Sequence, residues 1–317
     1  MKVARRVLAA SLVIGLAAGC SSSQATPDEE PVVEQEAEQE APEQEEVVEE
    51  LATLDILQAI ADGDHRSEEN RVRNQYRNPA DTLDFFGIAP GMTVVELSPG
   101  RGWYTEVLAP FLAEEGHLTV GSFAFDPEDT EAYRTQIGLE YQELLEAQAE
   151  VFGNIRVGTF EPPETVDIGG PESADMIVSF RSMHGWYNRE VIDDVFAFAF
   201  ETLKPGGVFG VVQHRAAEGA DPAETSPKGY LPQEFVMERA EQAGFVLEDA
   251  SEINANPRDT RDYEEGVWAL PPSLRSEGDD QSRFEEIGES DRMTLRFVKP
   301  AAPAESPESA EATTDSE

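Results

Sequence analysis

The stretch "TVVELSPGRGWYTEVLAP", residues 93–110, decides the fold. Thr93–Leu97 is a short apolar run ending at the carboxylate of Glu96, and it is followed at once by a loop holding Gly100 and Gly102. The chain then runs into Trp103 and a pattern of apolar residues at helical spacing. Two glycines let the backbone turn sharply and come close to a ligand where a Cβ would block it. In an open parallel sheet, ligands sit at the carboxyl ends of the strands near the point where strand order reverses.

Working outward, strands are predicted at 93–97, 118–123, 155–160, 174–180, 208–215, 246–253 and 291–300, with helices at 103–116, 126–152, 188–207 and 231–245. Strand interiors apolar on both faces and helices between them predict a Rossmann-like α/β fold. It has a seven-stranded, mostly parallel sheet covered on both faces. No helix is predicted between the last two strands, so the final strand is expected to be antiparallel. Residues 61–88 read as a helical lead-in. Asp126 and Pro127 are expected to start the second helix, and Pro205, Gly206 and Gly207 to stop the third.

The ends of the chain differ in kind. Lys2, Arg5 and Arg6 precede an apolar run from Val7 to Ala18 that is short for a membrane span, and small residues lead into Cys20, the only cysteine. This reads as an export signal over residues 1–19. "LAAGC" resembles the lipobox of bacterial lipoproteins, which implies lipidation at Cys20; Ser21 points to the outer membrane, facing the periplasm. Each buried methylene of such an anchor adds roughly 0.8 kcal/mol. Residues 28–50 hold twelve acids and no base, and residues 303–317 hold five more acids. Both are expected to be disordered, as a tether over 20–50 and a tail. One domain remains, residues 51–302, with 48 acids against 20 bases. A charge of this sign argues against nucleic acid or anionic lipid as partner.

Glu96 at the mouth of the loop discriminates between nucleotides. A carboxylate there repels a pyrophosphate that a helix N-terminus attracts, and Thr105 stands where a dinucleotide fingerprint places its last glycine. Both features disfavour a nicotinamide cofactor, although Arg101 offsets part of the effect. A ligand with an amino group and a positive centre suits the loop better.

In "FFGIAPGMTVVELSPGRGWYTEVLAP", "SFRSMHGWYN" and "LKPGGVFGVVQHRA", the chain resembles the class I methyltransferases, and within them a branch of exported bacterial members. The resemblance covers roughly residues 65–300 and implies S-adenosylmethionine as cofactor. It implies that Glu96, Ser98, Gly100 and Gly102 carry the methionine end. Ser98 replaces the loop's first glycine. Ser122 stands where an acid usually holds the ribose, with Asp126 as the nearest carboxylate, and Phe160 and Glu161 match the region touching adenine.

Beyond the loop, Arg181, His184, Arg189, His214 and Arg215 follow the fourth and fifth strands. Five cationic or titratable groups at one sheet edge are out of pattern in so acidic a domain. They suggest that the substrate, or the carboxylate of the cofactor, is anionic, with Arg181 and His214 as substrate-binding candidates. His184 can be a loop histidine, a substrate contact or an acid–base group. Trp103, Tyr104, Trp186 and Tyr187 lie beside these loops and either wall a pocket or pack in the core. No spacing of Cys and His suggests a metal site. Two functional expectations follow: a lipid-anchored methyltransferase acting on a small molecule, or a non-catalytic ligand-binding lipoprotein that keeps the scaffold.

Overall fold

The computed structural model describes residues 53–275 and 281–301. The expected signal, Cys20, the tether and the acidic tail lie outside these residues.

An eight-stranded sheet runs in the order β4-β3-β2-β1-β5-β6-β8-β7. Strands β1 (Thr93–Leu97), β2 (His117–Ser122), β3 (Ile155–Glu161), β5 (Ala174–Phe180) and β6 (Leu203–His214) are parallel. Strand β8 (Arg292–Val298) slots between β6 and β7 (Val246–Ser251), antiparallel to both. Order reverses at β1, which pairs with β2 on one side and β5 on the other. The carboxyl end of β1 is therefore the topological switch point, and Glu96 lies there.

Several expectations are corrected. The sheet has eight strands, because Thr165–Val166 (β4) folds back on β3 as a hairpin; a two-residue strand leaves no alternation to detect. The glycine-proline stretch does not stop the third long helix. That helix, α9 (Ile192–Thr202), ends before it, and Leu203–Gly207 already belongs to β6.

Side-chain alternation in β1 divides the core. Val94 points into one cluster with Leu83, Phe86, Val107 and Leu108. Val95 and Leu97 point into the other with Ile177, Phe196 and Phe209. The first cluster is covered by α1 (residues 53–61), α4 (Pro79–Phe85) and α5 (Thr105–Leu112), the short α2 (Glu68–Arg71) and α3 (Asn74–Arg77) lying between α1 and α4 along the chain. The second lies under α8 (Met183–Asn188), α9 and, beyond the short α10 (Pro222–Thr225), α11 (Gln233–Gln242). Each fully buried leucine or phenylalanine contributes roughly 1.5–3 kcal/mol. The helix expected from residue 126 begins at Tyr133 (α6, Tyr133–Ala147) and continues as a separate turn, α7 (Ala149–Phe152). Asp126 instead closes its own turn, accepting from the Glu128 N–H at 3.0 Å.

Candidate functional site

The loop after β1 is shaped by left-handed backbone. Ser98, Gly100 and Gly102 have φ of 54°, 60° and 83°. The two glycines serve different ends. A Cβ on Gly100 meets no atom within 4 Å, so that position opens onto free space. A Cβ on Gly102 lands 2.4 Å from Leu144 Cδ2 and 3.0 Å from the Tyr141 ring, so Gly102 lets α6 pack on the loop. Arg101 is exposed and pairs with Glu140 of α6, which removes it as a phosphate contact of the free loop.

Glu96 is 1% exposed. The Thr105 hydroxyl donates to its Oε2 at 2.6 Å, and Tyr141 Oη lies 3.3 Å from the same hydroxyl. Burial pushes the Glu96 carboxyl up to about 7, with the Thr105 bond opposing it. A carboxylate has about four acceptor positions, and Thr105 fills one. A buried acid with spare acceptors beside an open glycine fits the ammonium end of an amino-acid-like cofactor.

Ser122 is half-buried at the end of β2 and lines a cavity of about 450 Å³ with Phe123, Tyr141, Gln142, Val157 and Thr159. That volume lies within the range of small-molecule sites. Asp126 is exposed and committed to its turn. Phe160 is 2% exposed, its ring edge-on to Trp186 at 5.8 Å, and its Cβ and Ile168 fill the space above Gly121. The Phe160 side chain is thus core. Glu161 pairs with Arg134, whose guanidinium lies over the Phe123 ring at 4.7 Å.

At the β5–β6 edge the structure gathers three of the five basic-cluster residues. Arg181 has φ 61° and donates its N–H to Val212 O at 2.6 Å; it is half-buried. The His184 and His214 rings lie 5.8 Å apart. His184 Nδ1 is 3.4 Å from Gln213 Nε2, and His214 Nδ1 is 2.5 Å from Ser290 Oγ. Burial pushes His184 down to about 4, and burial with Arg292 and His184 nearby holds His214 well below its ordinary value, so both imidazoles are neutral at pH 7. Arg215 is drawn away to Glu252 and Asp291, and Arg189 is exposed.

Sequence reasoning missed the partners of this edge. Glu289 is 2% exposed and receives Arg73 Nε at 2.7 Å, Arg77 Nε at 2.8 Å and Arg292 Nη2. The Arg77 guanidinium lies 4.7 Å from the Trp103 ring centroid and that of Arg66 4.6 Å, while the Tyr104 ring stacks on Phe180 at 3.4 Å. Trp103 and Tyr104 thus join the glycine loop to the arginines, and like Trp186 they are buried in the core. The available signal was the density of arginine in "RSEENRVRNQYRN" (66–78) within a domain so rich in acid.

No protein-family model and no curated protein matches this sequence. Among solved structures, the cyclase SpnF superposes with a TM-score of 0.50 at 14% identity, over 80% of this chain and 96% of its own. A SAM-dependent methyltransferase from Aquifex aeolicus superposes at 0.48 with 13% identity, over 78% and 98%. An arsenic(III) S-adenosylmethionine methyltransferase from Chlamydomonas reinhardtii gives 0.43 at 15%, over 68% and 67%. At these identities the likeness concerns the fold, a methyltransferase-type Rossmann-like sheet.

Proposed function

We propose that this protein is an S-adenosylmethionine-dependent methyltransferase acting on a small molecule, held at the outer membrane through lipid on Cys20. The observation that carries the reading is Glu96, a buried carboxylate with spare acceptors beside Gly100 at the switch point of the sheet. The cofactor supplies an electrophilic methyl group on a positive sulfur. Glu96, with Ser98, Gly100 and Gly102, holds the amino-acid end, and the cavity at Ser122 takes the nucleoside. Phe160 takes part through its backbone, since its side chain is core. The buried Thr105–Tyr141 pair fixes the Glu96 carboxylate and keeps water from it.

Arg181, His184 and His214 form the acceptor side. In methyl transfer to a nucleophile most of the acceleration comes from holding the two groups in line, so no strongly basic residue is required. Neutral His184 can orient the acceptor by a hydrogen bond; with its imidazole pushed down to about 4 it is a weak base.

A second reading has a specific observation behind it. Asp126, the nearest acid to the ribose position, is exposed and turned into its own loop. A scaffold that binds a ligand without transferring a methyl group is consistent with that loss, and fold alone does not fix chemistry. Thermal unfolding of the full-length chain with S-adenosylmethionine, S-adenosylhomocysteine or NAD separates the readings. At a hundred times its dissociation constant a ligand stabilises the fold by roughly 2.7 kcal/mol. A rise with both S-adenosyl compounds and none with NAD supports the cofactor; no rise with either removes it. Turnover then separates enzyme from binding protein.

A further inference from the structure

We propose that Arg73, Arg77, Arg181 and Arg292 form a recognition site for a dianionic oxyanion of the phosphate class, carried by the acceptor molecule. The proposal deepens the methyltransferase reading and rests on it for the word acceptor; the anion site itself rests on the arginines.

Among the described residues, three guanidinium groups share one carboxylate and a fourth stands near it. Arg73, Arg77 and Arg292 all bond Glu289, and Arg181 makes no ion pair. Asp291, next along the chain from Ser290, is already taken by Arg215 and Arg261. The Arg77 guanidinium lies against the Trp103 ring, 4.7 Å from its centroid. Both Arg77 Nη atoms, Arg181 Nε and Arg292 Nε are buried with no hydrogen-bond partner. Arg77 and Arg292 are each 2% exposed, so water does not satisfy these donors from outside. Buried charge in excess of its counter-charge is costly, and buried unpartnered donors add to that cost. A planar fork of N–H donors matches a phosphate or carboxylate in pairs. An anion carrying two charges restores most of the balance that Glu289 leaves unmet.

The position fits an acceptor. Arg181 follows the end of β5, Arg292 begins antiparallel β8 at the same edge, and Tyr104, two residues past Gly102, stacks on Phe180. Half-buried Arg181 is the member that reaches solvent. Neutral His184 and His214 border the cluster and add no charge of their own at neutral pH.

The test is titration calorimetry of inorganic phosphate into the full-length chain at fixed ionic strength, with and without S-adenosylmethionine. Saturable binding is expected at one site, weakened at least about tenfold by Arg181→Gln. Arg292→Lys keeps the charge, loses the fork and should weaken binding less than Arg181→Gln. Arg156→Gln, at an exposed pair with Asp167, should leave binding unchanged. No saturable binding, or equal weakening by Arg156→Gln, overturns the site. Displacement of phosphate by S-adenosylmethionine also overturns it as an acceptor site, since the arginines then hold the cofactor carboxylate. Phosphate binding without any S-adenosylmethionine binding leaves the anion site standing and removes the methyltransferase reading.

Discussion

At the β1 edge, one carboxylate, Glu96, is buried among neutral groups; at the β5–β6–β8 edge, three arginines converge on the carboxylate of Glu289 while Arg181 stays unpaired. The two regions are linked by Trp103 and Tyr104, yet they carry opposite electrostatic stress. The first has an acid lacking a cation, the second has more cations than its one acid balances. Each imbalance names the sign of what is to be bound, and a molecule pair with an ammonium at one end and an anion at the other relieves both. The comparison teaches that an uncompensated buried charge in a site is more informative than a satisfied one.

The largest effect that tests this contrast is at Glu289. Glu289→Gln leaves three arginines without an anion, and breaking a buried pair costs about 3–5 kcal/mol. Urea unfolding should show a loss of that order, partly recovered by added phosphate. A loss below about 1 kcal/mol would mean the arginines are not under charge stress, and the contrast fails.

Next in size is pH. The Glu96 carboxyl is raised from 4.5 to about 7 in the folded state. The folded protein therefore binds more protons than the unfolded chain over that window. Stability from this group is full below about pH 4.5, falls as pH rises towards 7, and then levels off, a span of about 3 kcal/mol. His184 acts in the opposite sense: lowered from 6.5 to about 4, it contributes stability above 6.5 that is lost as pH falls through 4. The two slopes oppose each other, so the wild-type profile alone is uninformative. The difference between wild type and Glu96→Gln isolates the first slope, and a difference that stays flat from pH 4.5 to 7 would remove the buried-acid argument. Affinity for S-adenosylmethionine should instead rise with pH up to about 7 and then level, because the ionised Glu96 is the form that holds an ammonium.

Glu96→Ala should weaken S-adenosylmethionine binding by about 1.5–3 kcal/mol, the range for a hydrogen bond to a charged group, and leave phosphate binding unchanged. Loss of both ligands together would show that the two edges are not separable. The glycines offer a smaller contrast. Gly102→Ala should cost more stability than Gly100→Ala, because only the former drives a Cβ into Leu144; both pay about 1 kcal/mol for positive φ. Smallest of all, Arg181→Gln should change stability by less than about 0.5 kcal/mol, since no ion pair is lost, while weakening phosphate binding at least about tenfold. A large destabilisation there would make Arg181 structural.

The parallel strands and the switch-point loop were legible because each is written in a contiguous run; antiparallel β8 was expected because no helix was predicted before it, yet a short helix, Gln281–Ile287, stands there. The "TVVEL" strand, the paired glycines and the helix after them follow one another within twenty residues, so local backbone preference and side-chain period suffice. Glu96 was legible for the same reason. Phe160 lies near the end of β3, and its side-chain direction depends on the β4 hairpin and Trp186, which no local pattern encodes. The short β4 was hidden because two residues carry no period.

The sequence by itself determined the order of the parallel strands and of the long helices between them, the charge of the domain and the position of Glu96 beside its glycines. Only the tertiary structure decided that Arg73, Arg77, Arg181 and Arg292 meet around Glu289, and that Arg189 and Arg215 do not join them. Arg73 and Arg77 come from a lead-in more than two hundred residues away from Glu289 along the chain, at separations of 216 and 212. Burial, and with it the strength of each charge, is set by what folds over a residue, and in this site those covering segments are distant in sequence.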